Sequence, residues 1–519
     1  MNTTLSIARC GGLALIAGLA LASGCRSARP VDTNLASDRD ARYAAAYPIR
    51  EPSRRILIDG KMDDWARDVI AVADADYVYV RFMVVNAVPT VLQHGGDTLH
   101  LMLDIDGNAL TGQSRMSPTA AQGMGIDLEI QFSPPSGDGK TVRPGVAVYV
   151  LGNDGSRKRV SHAAVDFHFL PTHASEWYET RISRHALTAL MPAPDVEADA
   201  SAVEIVSTAP MRAFGGGIFM ISDPAGEIIG GSDPFTFGLP PIASGPPVSN
   251  LVIPPRRGDV IRAMTYNVER SAHLTNPEPF VRVLSALEPD IILFQEWDGA
   301  TREDITQWLT THLGGTWYAV SMPRQGVAIA SPHEIIETDT QPLEAVGQTS
   351  PVRYVGAVIR TPIRDTVAAT VHLKCCGFPG STEDHRRMAE AAAVRDRMAT
   401  IMPTWPTVRL LAGDMNLVGT PDPLHIIRQG LDGDGSALAV SMPIVLGDAA
   451  MYTWNDDDNN FSPGRLDYAL YGDSNTDVIN AFVLDTRRLS DASLRWSGLE
   501  RGDTAASDHL PIVIDLRPR

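Results

Sequence analysis

Ile291-Ile292-Leu293-Phe294-Gln295-Glu296 is an unbroken apolar run closed by an amide and a carboxylate. Such a run reads as a strand buried on both faces with a polar tip. The pattern recurs on both sides of it. Val260 to Asn267 ends Thr265-Tyr266-Asn267, Thr366 to Leu373 ends Val371-His372-Leu373, and Val408 to Ala412 leads into Gly413-Asp414-Met415-Asn416. Arg465-Leu466-Asp467-Tyr468 opens a strand that runs to Tyr471, and Ser507-Asp508-His509 precedes a last one from Leu510 to Leu516. Val327 to Ala330 and Tyr354 to Arg360 are further strands. Helical spacing appears over Pro279 to Leu287, Thr301 to Leu313 and Glu383 to Ile401. Strong signals of both kinds predict an α/β domain of sheets covered by helices.

A sheet edge that gathers carboxylates, amides and two histidines can hold a hard divalent cation and move protons around a phosphate. The chemistry implied is metal-assisted phosphoester hydrolysis.

The chain of 519 residues is too long for one ordinary core, so two domains and a leader are expected. Its net charge of −18 lacks the basic footprint of a protein that grips a DNA backbone tightly. At the amino terminus Arg9 precedes an apolar stretch from Leu13 to Ala22, too short to span a bilayer comfortably. Ala22-Ser23-Gly24-Cys25 then resembles a bacterial lipobox. Residues 1–25 are therefore expected to be a lipoprotein signal with Cys25 as the lipid-bearing residue. That implies an exported bacterial protein, anchored in the cell envelope on the periplasmic or outer-membrane face; an ordinary cleaved signal is the alternative. Residues 26–54 read as a tether and the Pro-dense residues 246–258 as a linker. Cys375 and Cys376 are adjacent, which suits neither an ordinary disulfide nor a zinc-ligand spacing.

Residues 55–245 carry many short strands between Gly, Pro and Asp turns, which predicts an all-β sandwich. Ile56-Leu57-Ile58-Asp59-Gly60 opens a strand and turn, Tyr77 to Phe82 is β-branched and aromatic, Leu99 to Asp104 and Ile126 to Phe132 alternate, and Glu176 to Ile182 is a strand with an exposed charged face. Ile58-Asp59-Gly60 with Asp64-Trp65, Asp104-Ile105-Asp106-Gly107-Asn108 and the Glu-rich strand resemble carbohydrate-binding-module family nine. That resemblance implies calcium at Asp104, Asp106 and Asn108, and a glycan partner. A hairpin turn needs the same Asp-Gly-Asn residues.

Residues 259–519 resemble the endonuclease/exonuclease/phosphatase superfamily, through the strings quoted above and in that family's chain order. The resemblance implies a four-layer α/β/β/α sandwich with its site at one end, and magnesium or manganese as cofactor. Glu296 would be a metal ligand supported by Asn267, with Asp508 a ligand or beside one. His509 would be the general base, oriented by Asp467. Asp414 would ready the attacking water or touch the metal, and Asn416 would donate its amide to a phosphoryl oxygen from the same face of an extended segment. A protonated His372 would stabilise the pentacoordinate phosphorus or protonate the leaving oxygen. Lys374, the only lysine of this domain, faces the same way and contacts substrate phosphate or is solvated. The loop Asn455-Asp456-Asp457-Asp458-Asn459-Asn460 reads as a solvated turn or a second cation site, and it would repel a long polyanion. The expected function is an exported metal-dependent phosphodiesterase or phosphatase acting on nucleic acid, a lipid head group or a small molecule. A secreted endonuclease and a noncatalytic glycan-binding surface lipoprotein are the alternatives.

Overall fold

The computed structural model describes residues 56–85, 89–108, 111–113, 124–185, 190, 214–243, 247–401, 403 and 405–519, with the backbone of Ser6–Ala8. The rest of the leader, Cys25 and the tether lie outside the described residues. Among those described, no helix is long and apolar enough to cross a membrane.

The C-terminal half is two sheets packed face to face between helices. The 7-stranded sheet runs in the order Tyr318–Met322, Val327–Ser331, Ile291–Gln295, Ile261–Asn267, Ile512–Pro518, Thr476–Val483, Ile444–Val445. The 6-stranded sheet runs Ile335–Asp339, Tyr354–Ile359, Thr366–His372, Val408–Asp414, Asp467–Tyr471, Ala439–Val440. Parallel pairing sets Asn267 beside Gln295 in the first sheet and His372 beside Asp414 in the second. Antiparallel pairing sets Asp467 beside Asp414.

The two-residue period of a strand sorts these residues by face. Ala369, Val371 and Leu411 pack against Ala391, Val394 and Met398 of the helix Thr382–Ile401. Ala368, Leu410, Ala412 and Ala469 face the other sheet and join its core. On that sheet Tyr266 turns out onto Phe280 of the helix Pro277–Leu287. Its neighbours Thr265 and Asn267 therefore point inward. The inner face is apolar along its length and turns polar at one end, at Asn267, Gln295, His372, Asp414 and Asp467. Just below that end, Gln295 Nε2 donates across the sandwich to Thr370 Oγ1 at 2.7 Å and to Thr265 Oγ1 at 3.0 Å. These bonds satisfy a buried amide and tie the two sheets together under the site.

The N-terminal half is all-β. One sheet contains Tyr77–Val85 with Ala71–Ala73, Trp177–Ser183 and His168–Leu170. The other runs Ile228–Gly231, Phe214–Ser222, Thr98–Asp104, Leu128–Phe132, Val146–Leu151, Arg157–Val160, with Phe235–Gly238 also pairing to Phe214–Ser222. Val78, Val80, Phe82, Tyr178 and Ile182 meet Leu101, Leu103, Ile130, Phe132 and Phe219 in one core.

Three expectations for this half are corrected. The charged face of Glu176 to Ile182 is not exposed at its centre: Glu179 and Arg181 are both 0% exposed, because that face packs on the C-terminal half. Ile56 to Ile58 is not a strand but carries a single isolated bridge, from Ile58 to Ala450. Ile58 donates to Ala449 O and accepts from Met451 N, both at 2.9 Å, and its side chain belongs to the C-terminal core. The Pro-dense linker is partly a strap, with Ser249 bonded to Arg488 and Ser490 through the backbone.

The interface between the halves is charged, with Arg181 and Asp448 buried and Arg488 and Asp166 partly buried. Arg181 grips Asp448 with both guanidinium nitrogens, one at 2.7 Å. From the other side Arg488 Nη1 and Nη2 donate to Asp166 at 2.8 and 2.5 Å, and Arg488 Nε donates to Tyr452 Oη at 2.9 Å. Tyr77 Oη donates to Asp166 at 2.7 Å. Each half supplies an acid and a base, and the four charges form one network in which Arg181 also lies 3.9 Å from Asp166 and Arg488 3.2 Å from Asp448. Removing Arg181 takes the bidentate partner from the buried Asp448 and leaves it only Arg488, at a cost of about 3–5 kcal/mol. Arg181→Ala is accordingly expected to lower unfolding free energy by about that amount in chemical denaturation, and a loss below about 1 kcal/mol would contradict a closed interface.

Candidate active site

At the polar end of the sandwich every strand-end side chain is held by another. Asn267 Nδ2 lies 3.1 Å from Glu296 Oε1 and 3.4 Å from Asp414 Oδ2, and its Oδ1 accepts from Glu269 N at 3.1 Å. Glu296, one residue past its strand, adopts the left-handed φ of 59°. This turns its carboxylate back over the sheet edge, where Oε2 accepts from Arg270 N at 2.9 Å and Oε1 sits 3.9 Å from His372 Nε2. Ser507 Oγ donates to Asn267 O at 2.8 Å and accepts from His509 N at 3.1 Å, fixing the Ser507-Asp508-His509 turn against the first sheet.

Two histidines face Asp414 from opposite sides. His509 Nδ1 is 2.8 Å from Asp467 Oδ2, and its Nε2 is 3.8 Å from Asp414 Oδ2. Burial opposes charge on this ring, but the carboxylates of Asp467 and Asp414 and the Asp467 hydrogen bond lift its pKa to about 10. Burial raises Asp414 to about 7, with Asp467 adding to the rise. His372 Nε2 is 3.3 Å from Asp414 Oδ2, while its Nδ1 accepts from Arg353 Nη1 at 2.9 Å. A guanidinium only donates, so the proton of a neutral His372 is on Nε2.

The site residues predicted from sequence meet here, with changes of role. Burial and the Arg353 cation hold His372 well below the ordinary imidazole range. It is a neutral N–H donor, not the protonated acid expected. Asn416 is not extended: its φ is 47°. Its amide is committed to Asp414 Oδ2 at 2.9 Å and Leu373 O at 3.2 Å, so it positions Asp414 and is not free for a phosphoryl oxygen. Lys374 opens with Arg353 into a neighbouring cavity. The acidic loop is not a free turn. Val146 N donates to Asn460 O and Ser161 Oγ to Asp457 O, both at 2.7 Å, so the sandwich domain grips its backbone while Asp457 and Asp458 stay exposed. That grip reaches the site, because Trp454 at the loop's start donates from Nε1 to Asp508 Oδ2 at 2.9 Å.

Arg353, Glu269, Trp454 and Thr453 were missed from sequence. Arg353 sits in no motif. Glu269, which accepts from Asp508 N at 3.1 Å, is raised by burial and by the charges of Asp508 and Glu296. Thr453 Oγ1 accepts from the backbone of Leu466 and Asp467 at 3.0 and 2.9 Å, setting the start of the Asp467 strand. Only the position of Trp454 and Thr453 beside the acidic loop signalled them. Glu269, Glu296 and Asp508 repel one another around the Asn267 amide, a repulsion a hard cation would relieve, although their ligand atoms are not drawn together as closely as those of Asp104, Asp106 and Asp127 in the sandwich.

Residues 264–509 match the model of the Endonuclease/Exonuclease/phosphatase family. The C-terminal domain belongs to that family. Similar solved structures include the human Nocturnin catalytic domain with bound sulfate anion, at 18% identity over 52% of this chain and 97% of that one, TM-score 0.35. Sphingomyelinase C from Streptomyces griseocarneus aligns at 14% identity over 49% and 99%, TM-score 0.35. A beta toxin mutant from Staphylococcus aureus with bound magnesium ions aligns at 15% over 50% and 100%, TM-score 0.34. No curated protein matches the chain.

In the sandwich half, ligand atoms of Asp104, Asp106 and Asp127 lie within 4.8 Å of one another. Asp127 was missed because it lies on the next strand, outside the Asp-Ile-Asp-Gly-Asn string. It is 0% exposed, and its Oδ1 has no hydrogen-bond partner. Burial and the charges of Asp106 and Asp104 push its carboxyl well up.

The Asp467–His509 pair sets a pH signature. The folded pKa of about 10 exceeds the ordinary 6.5, so the pair's stabilisation is complete below about pH 6.5 and is lost as pH rises towards 10. In Asp467→Asn the His509 ring is expected to titrate well below 10 by NMR, with kcat falling about 10²–10⁴-fold. A ring still titrating near 10 would remove Asp467 as its partner.

Proposed function

We propose that the C-terminal domain hydrolyses phosphoesters with water as nucleophile, and that it needs a divalent cation to do so. The observation that carries this is the pair of histidines placed on either side of Asp414, one polarised by Asp467 and the other neutralised by Arg353, at the mouth of a carboxylate cluster. When bound, magnesium supplies positive charge against the phosphoryl oxygens and against the carboxylate field that keeps His509 protonated; Glu296, Asp508 and Asn267 would hold it. The gap of 3.8 Å between His509 Nε2 and Asp414 Oδ2 is too long for a direct hydrogen bond and short enough for one water oxygen to touch both. His509 takes that water's proton at Nε2, and Asp467 stabilises the resulting imidazolium through Nδ1. His372 donates its Nε2 proton as a hydrogen bond to charge that develops on the phosphoryl group.

The exposed Asp457 and Asp458 on the loop beside the site favour a small or amphiphilic phosphoester over a long polyanion. For the sandwich we infer calcium at Asp104, Asp106 and Asp127, because an orphaned buried carboxylate oxygen facing two further carboxylates suits a hard cation.

One EDTA experiment reads both inferences. Turnover of bis-p-nitrophenyl phosphate is expected to vanish in EDTA and return with magnesium, and His509→Ala is expected to lose about 10²–10⁴-fold in kcat with an unchanged circular dichroism spectrum. EDTA is also expected to lower the midpoint of thermal unfolding, with calcium and not magnesium restoring it. Metal-independent turnover contradicts the hydrolase reading, and a midpoint indifferent to calcium contradicts the sandwich site.

A further inference from the structure

Beside His372 a cavity of about 820 Å³ is lined by Arg324, Arg353, Lys374 and Arg386, with Gln325 and Cys375, and by no acidic residue. In a chain with 62 acidic and 44 basic residues, a wall of this composition is unexpected. Arg386 is already paired with Glu390 at 2.7 Å. Lys374 Nζ reaches only Cys375 Sγ at 3.6 Å, and Arg353 spends its nitrogens on His372 Nδ1 and on Leu373 O at 2.7 Å. Among the described residues neither forms an ion pair, though the Arg353 charge acts on Asp414 and Asp298 at longer range, and Arg324 is exposed with no ion-pair partner. Lys374 and Arg324 thus stand without an ion-pair partner among the described residues, with the Arg353 guanidinium, which also acts on Asp414 and Asp298, beside them at the same opening.

The cavity begins one side chain from the chemistry. Arg353 bonds one nitrogen of the His372 ring, and the other nitrogen is 3.3 Å from Asp414. Along the second sheet the order is Arg353, at the head of Tyr354–Ile359, then His372, Asp414 and Asp467. The acidic loop lies beyond Asp467, tied to Asp508 through Trp454. The site is therefore basic on one flank and acidic on the other. A polyanion long enough to cross it would gain on one side and be repelled on the other. A short molecule with its scissile phosphate at Asp414 and further negative charge only towards Arg353 meets attraction alone.

We propose that this cavity is an anion subsite that takes a second phosphate of a small, multiply phosphorylated substrate. The proposal rests on the phosphoester reading of the neighbouring site and names its substrate class. Arg324 and Lys374 would contact the second phosphate directly. Arg353 is a positioning residue for His372 whose charge adds to the same field.

The test compares inorganic phosphate with methylenebisphosphonate as inhibitors of bis-p-nitrophenyl phosphate hydrolysis, at constant free magnesium, in the wild-type chain and in an Arg324→Ala, Lys374→Met double variant. The bisphosphonate is expected to inhibit the wild type at a concentration at least tenfold below that of phosphate, with that ratio falling towards one in the double variant. An equal ratio in both proteins overturns the subsite, since magnesium chelation is the same for both. A 20-nucleotide single strand that competes better than the bisphosphonate, and loses that advantage in the double variant, would assign the cavity to a polymer backbone and overturn a small substrate. If bis-p-nitrophenyl phosphate is not hydrolysed at all, the hydrolase reading fails on its own. Calorimetric binding of the bisphosphonate, lost or kept in the double variant, then supports or overturns the subsite separately.

Discussion

The two-residue period of a β-strand is the constraint on which this site depends. The inner faces of two sheets are committed to a shared apolar core, and each strand carries that commitment to its end. A polar residue at the last inward position cannot rotate away without breaking the alternation beneath it. Asn267, Gln295, His372, Asp414 and Asp467 are therefore aimed at one another by the same packing that makes the domain stable. Gln295, bonded to Thr265 and Thr370, marks the level at which the core turns polar. Above it, the Ser507-Asp508-His509 turn closes the ring, held by Ser507 on the Asn267 carbonyl.

Strand ends were legible in the sequence because apolar runs with polar tips are rare and these occur in a fixed order. The helices Pro277–Leu287, Arg302–Leu313 and Thr382–Ile401 fall within a few residues of their expected spans. What the sequence concealed depends on contacts between distant segments. No motif announces that Arg353 will meet His372, yet that contact changes the histidine from an acid to a neutral donor. The left-handed turn at Asn416, which redirects its amide to Asp414, follows from a backbone angle that Asn tolerates but does not require. Asp127 was invisible for the same reason, since it joins Asp104 and Asp106 only through strand pairing.

Charge placement divides the molecule into regions with different duties. The buried Arg181–Asp448 pair and the part-buried Arg488–Asp166 pair join the halves. The same sandwich domain clamps the Asn455 to Asn460 loop, and Trp454 passes that constraint to Asp508. The all-β half thereby completes one wall of the catalytic site. On the opposite wall Arg324, Arg353 and Lys374 stand beside His372, so the two flanks of the site differ in charge.

The central claim is that Glu296, Asp508 and Asn267 hold a divalent cation at the edge shared by the two sheets. Anomalous scattering from crystals grown with manganese tests it most directly. The account predicts one strong peak within ligand distance of a Glu296 carboxylate oxygen, beside Asp508 and the Asn267 amide. A peak confined to the Asp104, Asp106 and Asp127 cluster, or a Glu296 carboxylate bare at saturating manganese, would contradict it.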